Sequence, residues 1–295
     1  MPAPKNTKKA APRRHEVAIP PPPPTHVSRF ERMCEAALRT GRAQGEAGIG
    51  TLQEKRLHSI IKHFLCDNES YHEVGLTDTR FVADVKIGNI IFEVQTGSFF
   101  PMKKKIEYYL QNTDCTVTVV HPIPVIKWIS WIDPDTHEIA PRTRSPKKGR
   151  PEDLLPQLYY LAPHLQNPRL CYRLLFLEVE DFRILNGRRS RDRKRGSERY
   201  ERIPLSLLGE MKLNTPADFL QFIPEELPAH FTVRQFSTLT GIRGRDAYSS
   251  VRALCALGLF EEAEPIGRSM GWRRTPSNDK SNPSRVKKET ETKKA

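Results

Sequence analysis

Residues 81–95, FVADVKIGNIIFEVQ, constrain the fold of this chain more than any other stretch. Both arms are rich in β-branched and aromatic residues, and the Gly-Asn pair between them is typical of a two-residue hairpin turn. This spacing predicts that Asp84 pairs with Glu93 across the hairpin. Because side chains alternate along a strand, we expect Gln95 on the same face as the two acids.

The two faces of the predicted hairpin differ in chemistry. The face away from the acids is expected to be core and carries Ala83, Val85, Ile87, Ile90, Phe92 and Val94. Like charges directly opposite in a sheet repel each other, so a hairpin that keeps both acids is expected to bind a cation. Carboxylate and amide oxygens suit Mg²⁺. The alternative is a pair of ordinary surface acids on an antiparallel sheet.

Asp84 followed by Glu93-Val94-Gln95 resembles the PD-(D/E)xK nuclease superfamily, with Gln95 in place of the usual Lys. The variant that it resembles most is the CoiA-like, restriction-endonuclease-like group. The resemblance covers roughly residues 46–133 and includes the order helix, hairpin, helix, strand. It implies an α/β fold in which helices flank a restriction-endonuclease-like mixed β-sheet.

The resemblance also implies roles for individual residues. Asp84 and Glu93 would hold Mg²⁺ or Mn²⁺, Gln95 would orient the attacking water, and Glu54 on the preceding helix would complete the acidic cluster. Glu54 fits equally well as half of a capping box. An amide supplies no positive charge, so a nearby cation is expected to substitute for the missing Lys. The local candidates are Lys86, Lys103, Lys104 and Lys105.

A second resemblance appears near the C-terminus. Residues 231–272 contain a Thr-x-x-Gln capping box, a short helix, a turn, a second helix and a Leu-Gly-Leu-Phe run before a two-stranded wing. This pattern resembles winged helix-turn-helix domains, which bind either DNA or protein. For DNA, the implied contacts on the second helix and the wing are Arg243, Arg245, Tyr248, Ser249, Arg252, Arg268, Arg273 and Arg274.

The charge and cysteine content restrict the partners and the compartment. A net charge of +13 and a pI near 9.6 favour an anionic partner, with nucleic acid first. Residues 186–199 form a dense basic stretch that is either a phosphate clamp or a solvated loop. Its predicted DNA-binding residues, together with Lys103, Lys104 and Lys105, are Arg188, Arg189, Arg191, Arg193, Lys194 and Arg195.

Five cysteines without a CxxC spacing indicate a reducing compartment and no structural zinc site. The first 26 residues lack the apolar core of a signal peptide. We therefore expect a soluble cytoplasmic protein with no membrane partner. Paired cuts in DNA would require a dimer, so a homodimer is one expected assembly.

The remaining pattern predicts further elements. It indicates helices over residues 27–42, 153–166 and 203–213, a buried strand over 170–179, and two strands within 116–133 that are separated by a turn at 122–124. The expected organisation is a disordered basic arm with a short helix (1–45), a nuclease-like domain (46–213), a linker (214–230), a winged helix-turn-helix (231–275) and a disordered tail (276–295).

These features predict a Mg²⁺-dependent DNA endonuclease that a winged helix positions on its substrate. The alternative is a nuclease fold without catalytic activity, acting as a DNA-binding regulator or accessory protein. Gln95 keeps that alternative open, because an amide can orient a water molecule but cannot donate a proton to it or stabilise it with positive charge.

Overall fold

The computed structural model describes residues 14–43, 55–76, 79–136, 138–185 and 197–275. The chain divides into two units. The larger unit comprises Ala18–Asp153 and Asn167–Thr215, and the smaller unit comprises Met1–Val17, Leu154–Gln166 and Pro216–Ala295. Among the described residues, no helix has both the length and the apolar character that a membrane crossing requires.

The larger unit is an α/β structure in which helices flank a mixed sheet, as predicted. The strands follow the order β1-β2-β3-β4-β6-β7, with β5 paired to β4. β3, β4 and β6 are parallel, and the other neighbours are antiparallel. The helices are α1 (Pro24–Ala43), α2 (Lys55–Leu65) and α3 (Lys103–Asn112), and the strands are β1 (His72–Gly75), β2 (Val82–Ile87), β3 (Ile90–Val94), β4 (Thr116–Ile132), β5 (Thr143–Arg144), β6 (Leu170–Leu185) and β7 (Ser197–Leu213).

The hairpin of β2 and β3 has the predicted register. Val85 pairs with Phe92, so Asp84 lies opposite Glu93. The predicted core face is largely buried, but Ile90 was assigned to it wrongly and is 42% exposed, because it lies beside the turn at the end of the sheet. Ile91, which shares the face of Glu93, is fully buried. The face with the acids is therefore covered rather than open.

Helices α1 and α2 cover the other face of the sheet. They meet the central strands in one apolar cluster, in which the helices contribute side chains at three- and four-residue spacing, the pattern of an amphipathic helix. The buried members are Phe30, Cys34, Leu57, Ile60, Ile61, Phe64, Val94, Val120, Leu175, Leu177, Val179 and Leu207. Helix α1 thus belongs to the core of the larger unit.

Strand β4 is one 17-residue strand, so the prediction of two strands with a turn at residues 122–124 was wrong. Gln95 N donates to Val120 O (2.9 Å), so even-numbered residues of β4 direct their backbone groups toward β3. Pro122 and Pro124 have the same parity but lie beyond the end of β3. Their missing N–H groups therefore break no ladder, and the strand continues through a bulge before Ile126.

Residues 203–213 were predicted as a helix but form most of β7, antiparallel to β6. Ile203, Leu207 and Met211 are all buried, and their four-residue spacing imitates a helical stripe. The register with β6 shifts at three places along β7, and each extra residue changes which side chains point inward. These bulges explain why the strand lacks strict alternation.

The smaller unit contains a three-stranded sheet with the order β8-β10-β9. Residues 153–166, predicted as one helix, instead form a single α-helical turn between two 3₁₀ segments. This stretch packs against α6. The elements are α4 (Leu155–Leu158), β8 (His230–Thr232), α5 (Val233–Thr240), α6 (Gly244–Ala256), β9 (Phe260–Ile266) and β10 (Ser269–Arg274).

Local signals fix both ends of α5. Thr232 and Gln235 form the predicted capping box, each side chain bonding the backbone N–H of the other residue. Gly241 ends the helix with φ of 74°, a left-handed conformation that glycine adopts without a steric penalty. Phe231, Phe236 and Phe260 pack edge to face beneath the helix.

Candidate active site

The hairpin register brings the carboxylates of Asp84 and Glu93 together. Asp84 N donates to Glu93 Oε1 (3.4 Å), and Val94 N donates to Asp84 Oδ2 (2.8 Å). Each carboxylate thus accepts a hydrogen bond from the backbone of the neighbouring strand. The two acids are held side by side by the sheet itself and not by a mobile loop.

Glu93 is buried, with 3% of its surface exposed. Lys105 Nζ donates to its Oε2 (2.5 Å), and Tyr109 Oη donates to its Oε1 (3.1 Å). Burial raises the pKa of Glu93 to about 7, with the charge of Asp84 adding to the rise and the two donors opposing it. Near neutral pH, Glu93 therefore exchanges between its protonated and ionised forms.

Asp84 is held ionised. Its Oδ2 lies 3.1 Å from His58 Nε2. Burial alone would raise the pKa of Asp84, but His58, Lys105 and the Val94 amide together hold it below its usual value. The two acids therefore have opposite pKa shifts, which is a pattern typical of sites where two carboxylates perform different tasks.

Lys105 lies between the two carboxylates. Its Nζ is 3.9 Å from Asp84 Oδ1, in addition to its hydrogen bond with Glu93. Lys103 and Lys104, which precede it in the first turn of α3, are exposed, so the phase of the helix selects one lysine of the three. Lys86, the other cation considered, donates to Gly88 O (3.0 Å) at the hairpin turn.

The side chain of Gln95 is engaged locally. Its Oε1 accepts a hydrogen bond from Gly97 N (3.2 Å), and its backbone carbonyl accepts one from the buried His121 (2.6 Å). The structure thus brings Asp84 and Glu93 together with Lys105, while the side-chain oxygen of Gln95 caps the turn after β3. Glu54 lies outside the described residues.

A second polar pair lies next to Asp84. Lys62 Nζ donates to Glu73 Oε1 (2.9 Å), and this hydrogen bond lowers the pKa of Glu73. Glu73 has φ of 50°, and a non-glycine residue in this left-handed region carries backbone strain. His58, which was not among the predicted site residues, is a partner of Asp84. The spacing of His58 and Lys62, one helical turn apart, was the signal that could have grouped them.

The donor set fits a hard divalent ion. Asp84 Oδ1 and Glu93 Oε2 both face one ammonium group, so they converge on a single point. Mg²⁺ in proteins is usually held by one or two carboxylates, with water and substrate phosphate completing its shell. Within the described part of the chain, no group of three or more His, Cys, Asp or Glu residues is placed to hold a metal. Asp84 and Glu93 are the two carboxylates at this point, and the Lys105 ammonium lies between them.

The predicted DNA-binding arginines of the smaller unit differ in their engagement. Arg274 donates to the carbonyls of Pro224 (2.6 Å) and Leu227 (3.2 Å), which is a structural role. Arg273 pairs with Glu261 (2.6 Å), and Arg252 pairs with Glu262 and lies over the Trp272 ring. Of the predicted arginines, Arg243, Arg245 and Arg268 are exposed and form no ion pair with a described acid. Tyr248 is also exposed, whereas Ser249 is half-buried.

Residues 186–196, most of the basic stretch predicted as a phosphate clamp, lie outside the described residues. This applies to Arg188, Arg189, Arg191, Arg193, Lys194 and Arg195. Lys103 and Lys104 are exposed at the start of α3, and Lys105 contacts the acids instead of solvent.

The larger unit is therefore an α/β domain with a mixed sheet, on which two carboxylates and a lysine meet beside the central strands. Residues 55–214 match the family model described as Domain of unknown function (DUF8091), and this match covers more than half of the chain. The chain belongs to this family. No curated protein and no solved structure gives a significant match to the chain.

Proposed function

We propose that this protein is a Mg²⁺-dependent DNA endonuclease of the PD-(D/E)xK type. The observation that carries the proposal is the Lys105 ammonium between Asp84 and Glu93. The order α2, β2-β3 hairpin, α3, β4 agrees with the order that the resemblance implies. Lys105 comes from the helix after the hairpin and supports the idea of a cation that substitutes for the lysine missing at Gln95.

In this proposal each residue has a defined task. Asp84 and Glu93 would hold the divalent ion, whose chemistry when bound would be Lewis acidity toward a water and toward the scissile phosphate. Lys105 supplies positive charge close to that phosphate, where charge develops in the transition state. His58 and Tyr109 orient the two carboxylates through their hydrogen bonds. Because metal binding requires an ionised carboxylate, Glu93 must lose its proton when it acts.

The smaller unit supports the DNA-directed part of the proposal. Its elements follow the sequence β8, α5, α6, β9, β10, with β9 and β10 forming a hairpin, and we propose that it is a winged helix. Arg243 and Arg245 at the start of α6 would enter the major groove, and Arg268 at the tip of the hairpin would contact phosphate. Arg252, Arg273 and Arg274 already have protein partners and are weaker candidates.

The setting of the reaction is part of the same proposal. All five cysteines are free thiols, which supports a reducing compartment such as the cytoplasm. A homodimer is proposed only for paired cuts, and sedimentation of the full chain with and without duplex DNA tests it.

A cleavage panel tests the proposed activity. Linear, nicked, forked and single-stranded DNA are incubated with the full chain and Mg²⁺ or Mn²⁺. We expect Asp84→Asn to abolish cleavage and Lys105→Met to lower kcat by about 10²- to 10³-fold, as for loss of one transition-state donor. Lys86→Met removes a cation of the same hairpin that contacts Gly88 instead of the acids, so it should retain activity. Unchanged cleavage by folded Asp84→Asn refutes the assignment.

One observation favours the second candidate, a DNA-binding regulator without catalysis. Both oxygens of Glu93 already accept protein hydrogen bonds, and the Gln95 side-chain oxygen caps a turn. Calorimetric titration of the chain with Mg²⁺ separates the candidates. Binding that disappears in Asp84→Asn supports the nuclease, whereas absence of binding together with retained DNA affinity supports the regulator.

A further inference from the structure

A basic segment follows the edge of β4 in the larger unit. Residues 141–150, PRTRSPKKGR, hold five cations and no acid. We call these ten residues the basic edge segment. It includes β5 and is distinct from the basic stretch at 186–199, from the α3 lysines and from the arginines of the smaller unit.

Backbone hydrogen bonds hold the basic edge segment in place. Thr143 and Arg144 form β5 against β4, Ser145 N donates to Lys127 O (2.8 Å), and Gly149 N donates to Pro124 O (2.8 Å). A Cβ at Gly149 would lie 2.6 Å from both the Ile123 side chain and the Pro124 carbonyl oxygen. The segment is therefore held against β4 at three points: Arg144 lies in β5, and Lys147 and Lys148 lie between the backbone bonds of Ser145 and Gly149.

Three of these cations lack a counter-charge. Arg144, Lys147 and Lys148 are exposed, and no described carboxylate lies within ion-pair distance of them. Arg142 differs, because it pairs with Glu180 (3.6 Å) and stacks on the Trp128 ring (4.6 Å). The segment thus presents three free positive charges within five residues.

The neighbouring strand β6 carries Glu178 and Glu180, which accept hydrogen bonds from Trp128 (2.6 Å) and Ser130, and neither forms an ion pair with Arg144, Lys147 or Lys148. Burial lowers the pKa of Lys127, and Arg202, Arg183 and Lys147 lower it further, against the opposing effect of Asp181. Asp181 is fully buried and accepts two hydrogen bonds from Arg202 (2.5 and 2.9 Å). Arg202, Arg183 and Lys147 thus place positive charge around Lys127, and an anion bound there would relieve their mutual repulsion.

The basic edge segment has a fixed distance from the carboxylates along β4. Glu93 pairs with Val119, and the segment is anchored between Pro124 and Trp128. At about 3.3 Å per residue, the anchors lie roughly 17–30 Å farther along the strand. Duplex DNA carries one charge per about 1.7 Å of its axis, so a duplex with a phosphate at the acids has many phosphates within this distance.

We propose that the basic edge segment binds the phosphodiester backbone of duplex DNA through Arg144, Lys147 and Lys148, on the flank of the cleaved site. This proposal rests on the DNA-directed function proposed above. It assigns three phosphate contacts to residues outside the acids and outside the smaller unit. Because the contacts are to phosphates, they contribute affinity and position but no choice of sequence.

The test measures how salt weakens binding. A fluorescent 30-base-pair duplex of arbitrary sequence is titrated with the full chain in EDTA, so that no cleavage occurs, at several salt concentrations. The variant is the triple substitution Arg144→Gln, Lys147→Gln, Lys148→Gln. The control is Arg32→Gln, Arg80→Gln, Lys212→Gln, which removes the same charge from exposed positions elsewhere in the larger unit. Thermal melting of each variant verifies folding.

Each phosphate contact adds about 0.9 to the slope of log affinity against log salt. We expect the triple variant to reduce the magnitude of this slope by about 2.7. Between 50 and 200 mM salt, wild type should then lose about 40-fold more affinity than the variant. The control should reduce the magnitude of the slope by less than about 0.9, the value for one phosphate contact. Equal slope changes in variant and control, or an unchanged slope in the variant, overturn the proposal.

Two further outcomes separate this proposal from the nuclease. If wild type never cleaves but the variant shows the expected slope change, phosphate binding by the basic edge segment is supported and the proposed catalysis is refuted. If wild type cleaves and the slope of the variant is unchanged, the proposed catalysis is supported and phosphate binding by the basic edge segment is refuted. Polyglutamate that competes equally with the duplex at equal charge would indicate an acidic-protein partner and also overturn the proposal.

Discussion

Glu93→Gln tests the electrostatics of the candidate site without any substrate. A carboxyl whose pKa is raised in the folded state binds its proton more tightly when folded, so folding is favoured below the ordinary pKa of 4.5 and loses this advantage as the pH rises to about 7. Worked through the two values, the contribution of Glu93 to the free energy of unfolding falls by about 2.5 kcal/mol between pH 5 and pH 8. Glutamine does not titrate, so the stability of the variant lacks this pH-dependent contribution.

Urea unfolding of both chains at pH 5, 6, 7 and 8 in EDTA measures the difference. The stability of wild type relative to Glu93→Gln should decline steadily with pH. Glu138→Gln, at an exposed position, serves as the control for removal of one carboxylate. A difference that stays constant within about 0.5 kcal/mol, or that grows with pH, would show that Lys105 fully compensates the buried charge and would refute the reasoning.

Three further substitutions test contacts seen in the structure. Tyr109→Phe should destabilise the fold by about 1–3 kcal/mol, because buried Glu93 loses a donor, and urea unfolding at pH 8 measures this loss. Arg202→Ala should cost about 3–5 kcal/mol, since it leaves the buried Asp181 charge unpaired, and a milder effect in Arg202→Lys would support the ion pair as the cause. Thr232→Ala removes the capping box of α5 and should cost about 1 kcal/mol, and thermal unfolding showing no change would contradict that role.

The hairpin could be predicted in detail because its information is local. A two-residue turn sets which residues pair, so the meeting of Asp84 and Glu93 follows from the spacing alone. The capping box at Thr232 is predictable for the same reason. The side chains that contact the acids could not be predicted in the same way. Lys105 was one of four candidate lysines, and only the packing of α3 on the sheet determines which of its lysines faces the acids.

Two elements were wrong because non-local pairing decided them. Proline generally interrupts strands, yet Pro122 and Pro124 sit at positions where β3 has already ended, a fact that the sequence of β4 does not contain. In β7, residues 203, 207 and 211 are spaced by four, which fits one face of a helix and equally one face of a strand, so only the pairing with β6 decides between them. His58 was likewise not predicted as a site residue, because its partner Asp84 lies 26 positions away in the sequence.

The prolines of β4 also bear on how the chain avoids self-association. The stretch TVTVVHPIPVIKWISWI is a 17-residue strand rich in β-branched and aromatic residues, and such runs template intermolecular sheets when an edge is free. Beyond the end of β3, Pro122 and Pro124 offer no N–H to an incoming strand. The Pro124 carbonyl already accepts a hydrogen bond from Gly149 N. A proline blocks pairing whether or not the chain has folded. The edge of β4 is therefore protected from aggregation during synthesis as well as in the finished sheet.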